Sequence, residues 1–378
     1  MPRKLLFCSA IIRFDLVESA SMNLFSPLDL GPLTLPNRIA MAPLTRLRAG
    51  SDGVPGELIA EHYAQRASLG LLISEGTYPS FESQSYAGQP GIVSEQQVAG
   101  WARVAEAVHQ AGGRIFMQLM NGGRTGHSKI SGVDRTVAPS AIAISGEVRV
   151  GAEKLPHQTP HALTTAEVEQ VRDEFAAAAR RAIEAGFDGV EIHAANGYLV
   201  HQFLGPSSNV REDRYGGSAE ARAQFGIEVA TAVAAEIGAE RVGIRLSPEH
   251  NIQDVFETDA AETAATYHAL LAGIAPLDLA YLSILHQDPE GELVQDLRSR
   301  FTGVFMINSG FSSLTSRQEA RMVVAENIAD VIAVGRPVIA NPDLAERWMG
   351  DHPENEANPA TFYAAGAEGY NDYPLLSA

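Results

Sequence analysis

The 378-residue chain carries a single cysteine, Cys8. An intrachain disulfide, a thiolate zinc site and a cysteine-ligated iron–sulfur cluster are excluded, and a reducing, cytoplasmic setting is expected. Positive charge is also scarce, with 28 Lys and Arg against 46 Asp and Glu and a formal net charge of −18. So acidic a surface repels phosphate backbones, and nucleic acid is not an expected partner; a local cationic pocket can still hold a small phosphorylated cofactor. No two glycines are separated by one residue, so GxGxxG cannot occur, and the P-loop and the GxSxG serine elbow are missing as well. The apolar run near the N-terminus, Leu5–Ile12, is far shorter than the ~20 residues a bilayer requires, and no membrane association is expected.

What is present is an ordinary globular composition, 45% hydrophobic and 20% charged, which excludes wholesale disorder. Residues 1–21 stand apart. Arg3 and Lys4, the apolar run and Ser19-Ala20-Ser21 have the order of a signal peptide, but Arg13, Asp15 and Glu18 follow the apolar run closely. A disordered extension is the preferred reading, with one domain over residues 22–378.

From there, short apolar runs alternate with longer amphipathic stretches. The runs are Arg38–Pro43, Leu71–Gly76, Arg114–Leu119, Gly189–His193, Arg241–Ser247, Asp278–Ile284, Gly303–Ser309 and Asp330–Gly335. They are near-continuously apolar, as parallel strands covered on both faces are. Helices are expected over Glu57–Ser68, Ser94–Ala111, Thr164–Ala185, Ser218–Ile237, Asp259–Ala272 and Thr315–Glu326. Ser94 with Gln97 and Thr164 with Glu167 form capping boxes, and Gly112 and Gly186 stop the two helices. Val98, Trp101, Ala105 and Val108 share one face of the former; Val168, Val171, Phe175 and Ala182 share one of the latter. The alternation predicts an α/β fold, a (β/α)8 TIM barrel with an open doubly wound sheet as the alternative. Leu24–Leu35 reads as a hairpin plugging the barrel bottom, and Gly126–Ala162, after the third strand, as a lid or capping hairpin.

In a TIM barrel, chemistry sits at the C-terminal ends of the strands. Those ends carry Pro43-Leu44-Thr45, Gly76, Gln118, His193 with Asn196 and Tyr198, Arg245, Ser309-Gly310 and Gly335-Arg336. Nearly every strand delivers a polar side chain or bare backbone to one face. No His, Asp or Glu lies at ligand spacing beside His193, so no metal site is expected.

Pro43-Leu44-Thr45-Arg46, the run from His193 through Asn196-Gly197-Tyr198-Leu199 to Gln202-Phe203-Leu204, Asn209-x-Arg211-x-Asp213-x-Tyr215-Gly216-Gly217-Ser218, and Gly335-Arg336 with Asn341-Pro342-Asp343-Leu344 resemble the Old Yellow Enzyme family. The resemblance runs from about Leu24 to Pro374. It implies FMN, NADPH or NADH as reductant, and reduction of small activated alkenes: α,β-unsaturated carbonyls, maleimides and nitro-alkenes, with nitrate esters as further substrates.

In that light Arg245, a cation inside an apolar strand, would stabilise the negative N1/C2=O edge of reduced flavin. Gln118 would offer donor and acceptor to the pyrimidine edge, and Thr45 would bond the C4 carbonyl, although on sequence alone it serves equally as a cap. Pro43 and Leu44 would flank the ring. Gly76 would allow close backbone approach, or be an ordinary turn glycine. Ser309, Gly310 and Phe311 would supply amides to the phosphate, and Gly335 and Arg336 amides and a guanidinium fork. His193 and Asn196 would hold the substrate oxygen, and Tyr198 would protonate the α-carbon. Tyr86, Gln253 and Tyr363 would approach the pocket from loops. Met120-Asn121 follows Gln118-Leu119 where many family members have Trp-His, which predicts a roomier pocket.

Two other functions compete. A flavin-free barrel lyase or isomerase would want a Schiff-base lysine or carboxylate base at a strand end, and none of the eight runs ends in lysine. A non-catalytic flavin-binding redox sensor would not need His193 and Tyr198 together. The chain is expected to act as a monomer or small homo-oligomer.

Overall fold

The computed structural model describes residues 22–310 and 313–376. The expected extension over residues 1–21 and the amide of Phe311 lie outside the described residues.

Strands β1 (Leu28–Leu30) and β2 (Leu33–Leu35) form an antiparallel hairpin, Leu28 facing Leu35. β3 (Ile39–Met41), β4 (Leu71–Ile73) and β5 (Ile115–Leu119) follow. The excursion after β5 holds β6 (Val137–Ala138), β7 (Glu147–Val150), β8 (Glu153–Pro156) and β9 (His161–Ala162), with β7 and β8 paired as an antiparallel hairpin. Next come β10 (Gly189–Ala194), β11 (Val242–Leu246), β12 (Tyr281–Leu285), β13 (Val304–Asn308) and β14 (Val331–Val334). β3 to β5 and β10 to β14 are parallel and close into a barrel, with β14 pairing β3. Closure removes the open-sheet alternative.

The helices are α1 (Glu57–Ala64), α2 (Glu95–Gln110), α3 (Ser128–Ser131), α4 (Thr165–Glu184), α5 (Leu199–Leu204), α6 (Ala219–Ile237), α7 (Ala260–Ile274), α8 (Glu292–Ser299), α9 (Arg317–Ala325), α10 (Arg336–Ala340) and α11 (Leu344–Met349). Both capping boxes form: Ser94 accepts from the Gln97 amide and Thr164 from the Glu167 amide, each with the reciprocal bond. The expected face of α4 is buried as read. On α2 Val98 is only half-buried, because Gln97 is turned inward and donates to the Asp52 carbonyl and the Tyr78 hydroxyl. α8 went unread in the sequence; it is short, and its N-cap Gly291 offers no side-chain acceptor.

The apolar residues divide into two clusters. Outward-facing Ile39, Leu72, Ile192, Ile244 and Ile307 pack against the helices. Inside the barrel, Ala40, Ile73, Phe116, Tyr281, Met306 and Ala333 pack with Leu30 and Leu35 of the bottom hairpin. The hairpin therefore seals the N-terminal end. Among the described residues no helix is long and apolar enough to cross a membrane.

Candidate active site

The fourth strand ends in a turn that brings three polar groups together. Asn196 and Gly197 both have positive φ, 57° and 77°, which turns the chain sharply between His193 and Tyr198. His193 is buried, its ring edge-on to that of Tyr198 with centroids 4.8 Å apart. Burial first, then the nearby Arg245 charge, hold its imidazole pKa well below the usual 6.5. Its Nδ1 accepts from the Ala195 amide at 3.3 Å. A neutral ring accepting at Nδ1 carries its proton on Nε2, so His193 is a donor there.

The Asn196 amide donates to Ser247 Oγ at 2.8 Å and its carbonyl accepts from Gln253 Nε2 at 3.0 Å, while Oδ1 is buried with no protein partner. The Tyr198 hydroxyl bonds the Tyr86 hydroxyl at 2.9 Å. Burial pushes both phenols above their usual range, so both stay protonated at neutral pH. Tyr363, 67% exposed, lies within electrostatic reach of both hydroxyls.

A buried triad ties this turn to the loop carrying Gln253. Gly197 N–H donates to His201 Nδ1 at 2.9 Å, and His201 Nε2 meets Glu257 Oε1 at 3.2 Å. Tyr267 donates to that oxygen, and the Glu249 amide donates to the other. Nothing in the spacing of these residues marks them as a unit.

On the neighbouring strand β11, in register with His193, Arg245 is buried; its Nη1 and Nη2 bond Ser283 Oγ at 3.1 Å and Asn308 Oδ1 at 3.3 Å, and its Nε has no protein partner. It lines a cleft together with Pro43, Leu44, Asn308, Gly310, Ser313, Thr315, Gly335 and Arg336. The cleft thus joins Pro43, Leu44 and Arg245 of the expected ring-binding residues with Gly310, Gly335 and Arg336 of the expected phosphate-binding ones, whereas Thr45, Gly76, Gln118 and Ser309 do not line it. Gly310 has a positive φ of 93°, and the buried Ser309 hydroxyl is turned away to Glu319 of α9. Arg336 is exposed at the rim.

On the other flank, Thr45 is half-buried, and the adjoining amides of Arg46 and Leu47 donate to Glu75 Oε2 at 3.0 and 3.1 Å. Glu75 precedes Gly76, so one buried carboxylate holds both loop starts together. A Cβ at Gly76 would lie 2.6 Å from the Met120 sulfur, so Met120 packs directly behind Gly76 and is itself buried. Arg46 donates to the carbonyls of Phe362 and Gly369, drawing the segment that bears Tyr363 to this end of the barrel.

Sequence reasoning missed Glu191, Tyr281, Ser283 and Asn308. Gln118 Nε2 donates to Glu191 Oε1 at 2.8 Å and Tyr281 to Glu191 Oε2 at 3.0 Å. A charge within an apolar strand is the signal that singled out Arg245, and it applied equally to Glu191. The arrangement fits FMN: Arg245, with a buried guanidinium nitrogen that has no protein partner, lines the same cleft as Gly310, Gly335 and Arg336. Among the described residues no His, Cys, Asp or Glu cluster could hold a metal.

Comparison with known proteins agrees with this geometry. The model of the NADH:flavin oxidoreductase / NADH oxidase family matches residues 23–355. A probable flavin mononucleotide-dependent alkene reductase of Leishmania infantum is 41% identical over 93% of this chain and 97% of its own. 12-oxophytodienoate reductase 1 of Oryza sativa subsp. japonica is 39% identical over 95% of this chain and 94% of its own. The solved old yellow enzyme homologue from Zymomonas mobilis superposes with a TM-score of 0.88 at 40% identity, covering 94% of this chain and all of that one. Morphinone reductase superposes with a TM-score of 0.88 at 41% identity, covering 94% and 97%. The chain is therefore a member of the NADH:flavin oxidoreductase / NADH oxidase family, the Old Yellow Enzyme family of FMN-dependent oxidoreductases.

Proposed function

We propose that the protein reduces electron-poor alkenes, α,β-unsaturated carbonyls and nitro-alkenes foremost, in two half-reactions that share one site. The observation that carries this reading is the turn after β10, which sets a neutral imidazole donor, an amide and a protonated phenol side by side at the mouth of the barrel. When bound, FMN supplies the hydride chemistry, with NADPH or NADH as reductant. Arg245 and Gln118 would hold the flavin's pyrimidine edge, Thr45 its C4 carbonyl, and Pro43, Leu44 and Gly76 the ring. Ser309, Gly310, Gly335 and Arg336 would hold the phosphate.

His193 Nε2–H and the Asn196 side-chain N–H (Nδ2) bind the substrate's carbonyl or nitro oxygen. As negative charge develops there, both bonds strengthen, and the β-carbon becomes electrophilic. Tyr198 delivers the proton to the α-carbon. Its hydrogen bond with Tyr86 keeps the hydroxyl in place, and Tyr86 can return a proton to the phenolate along the same bond. Tyr363 and Gln253 line the approach.

The decisive assay follows 2-cyclohexenone with the yellow holoprotein under anaerobic conditions, first with NADPH and then with NADH. Enone-dependent nicotinamide oxidation with at least one of them is expected. A holoprotein that oxidises neither in the presence of enone would overturn the reading.

A further inference from the structure

Arg245 is a buried cation whose direct partners, Ser283 and Asn308, are neutral. A lone charge at such depth is costly unless an opposite charge stands near it. Barrel register shows where that charge lies. Gln118, Glu191, Gly243 and Tyr281 form one continuous row across β5, β10, β11 and β12. The next inward-facing row toward the site, two residues on, holds His193, Arg245 and Ser283. Glu191 is therefore one row below the active site, fully buried, and is the carboxylate that acts electrostatically on Arg245.

The row is built around it. A Cβ at Gly243 would fall 2.2 Å from the Tyr281 ring. The absent side chain lets Tyr281 lie across β11 and reach Glu191 Oε2, two strands away. Gln118 occupies the other oxygen. Burial pushes the Glu191 carboxyl up, while the Arg245 charge and a donor on each oxygen oppose that rise and favour the ionised form.

We propose that Glu191 is a positioning and tuning residue: an ionised counter-charge to Arg245 that lowers the potential of bound FMN and sets the orientation of the Gln118 amide. The inference rests on the assignment of Arg245 and Gln118 to the flavin's pyrimidine edge. With Nε2 turned down to Glu191, Gln118 presents its carbonyl oxygen and one N–H to the ring. Reduced flavin is anionic at that edge, so a carboxylate behind the arginine opposes reduction and favours hydride release to substrate.

E191Q retains the shape and lets the Gln118 contact persist while deleting the charge. FMN content should stay near wild type, while the thermal midpoint of the apoprotein should fall, because Arg245 loses the charge that offsets its burial. The midpoint potential of bound FMN, read by dye-coupled spectrophotometric titration, should move positive by about tenfold in the reduction equilibrium, roughly 30 mV for a two-electron couple. A potential that does not move, or moves negative, overturns the counter-charge. E191D retains the charge but withdraws it from Gln118, so the potential should hold while the FMN dissociation constant rises about tenfold. Unchanged affinity in E191D removes the orienting role, and this arm stands even if E191Q fails to fold. Arg245→Met, titrated in parallel, separates the two readings. If it leaves both affinity and potential unchanged, the flavin-edge assignment fails; if it shifts them and E191Q does not, only the role of Glu191 fails.

Discussion

Tyr198→Phe tests the proton donor with the smallest disturbance the site allows. The ring stays against His193, and only the hydroxyl that bonds Tyr86 at 2.9 Å is lost. Loss of one neutral hydrogen bond costs about 1 kcal/mol of stability, too little to unfold a chain with so extensive a core. The kinetic cost is of another order. A positioned general acid contributes ~10²–10⁴-fold, which is about 3–5.5 kcal/mol of barrier. Burial holds the phenol protonated well above neutrality, so wild-type Tyr198 is in the donor state throughout the working range. The variant should lose that full factor in reoxidation by 2-cyclohexenone, measured by stopped-flow at pH 7. Flavin reduction by NADPH needs no proton from the enzyme and should remain within a factor of two or so of wild type, because orientation alone governs it. Nitro-alkenes should suffer less, since their nitronate can leave and be protonated by water. Equal slowing of both half-reactions, or of neither, would refute the assignment and leave Tyr198 as pocket wall.

Arg245→Met deletes the buried cation and strands Glu191; losing a charge-assisted contact of about 1.5–3 kcal/mol should weaken FMN binding about 10- to 150-fold, read by fluorescence titration of the apoprotein. Gly243→Ala forces a methyl into the Tyr281 ring, and overpacking of this kind costs about 1–3 kcal/mol in a denaturant melt; an unchanged midpoint would contradict the interior packing. His193 is held neutral in the fold, its pKa lowered by burial and Arg245. Below the ordinary value of 6.5 the unfolded chain therefore binds a proton that the native state does not, and the stability due to His193, fully present above 6.5, is lost as pH falls. Relative to His193→Asn, wild type should lose up to ~1.4 kcal/mol per pH unit below that point. A stability gap that stays constant between neutral and mildly acid pH would show that the imidazole titrates normally.

Local chemistry was legible in the linear order. The capping boxes at Ser94 and Thr164 formed as read, because a cap needs only residues three apart. The eight apolar runs became the eight barrel strands, and strand-end polarity pointed to one face. Tertiary structure decided the partition within each strand. Parallel strands covered on both faces are apolar on both, so their sequence does not say which alternate residues face the interior. That is why Glu191 and Tyr281 went unread as partners, although they stand in register on either side of β11. Met120 stacks behind Gly76, and His201 reaches Glu257 across 56 positions of chain. Arg46 is joined to the segment near Tyr363 across more than 300. Short-range order follows from hydrogen bonds a residue makes with its near neighbours, and the sequence alone determines it. Which buried charges meet depends on strand register and barrel closure, and only the folded chain settles those.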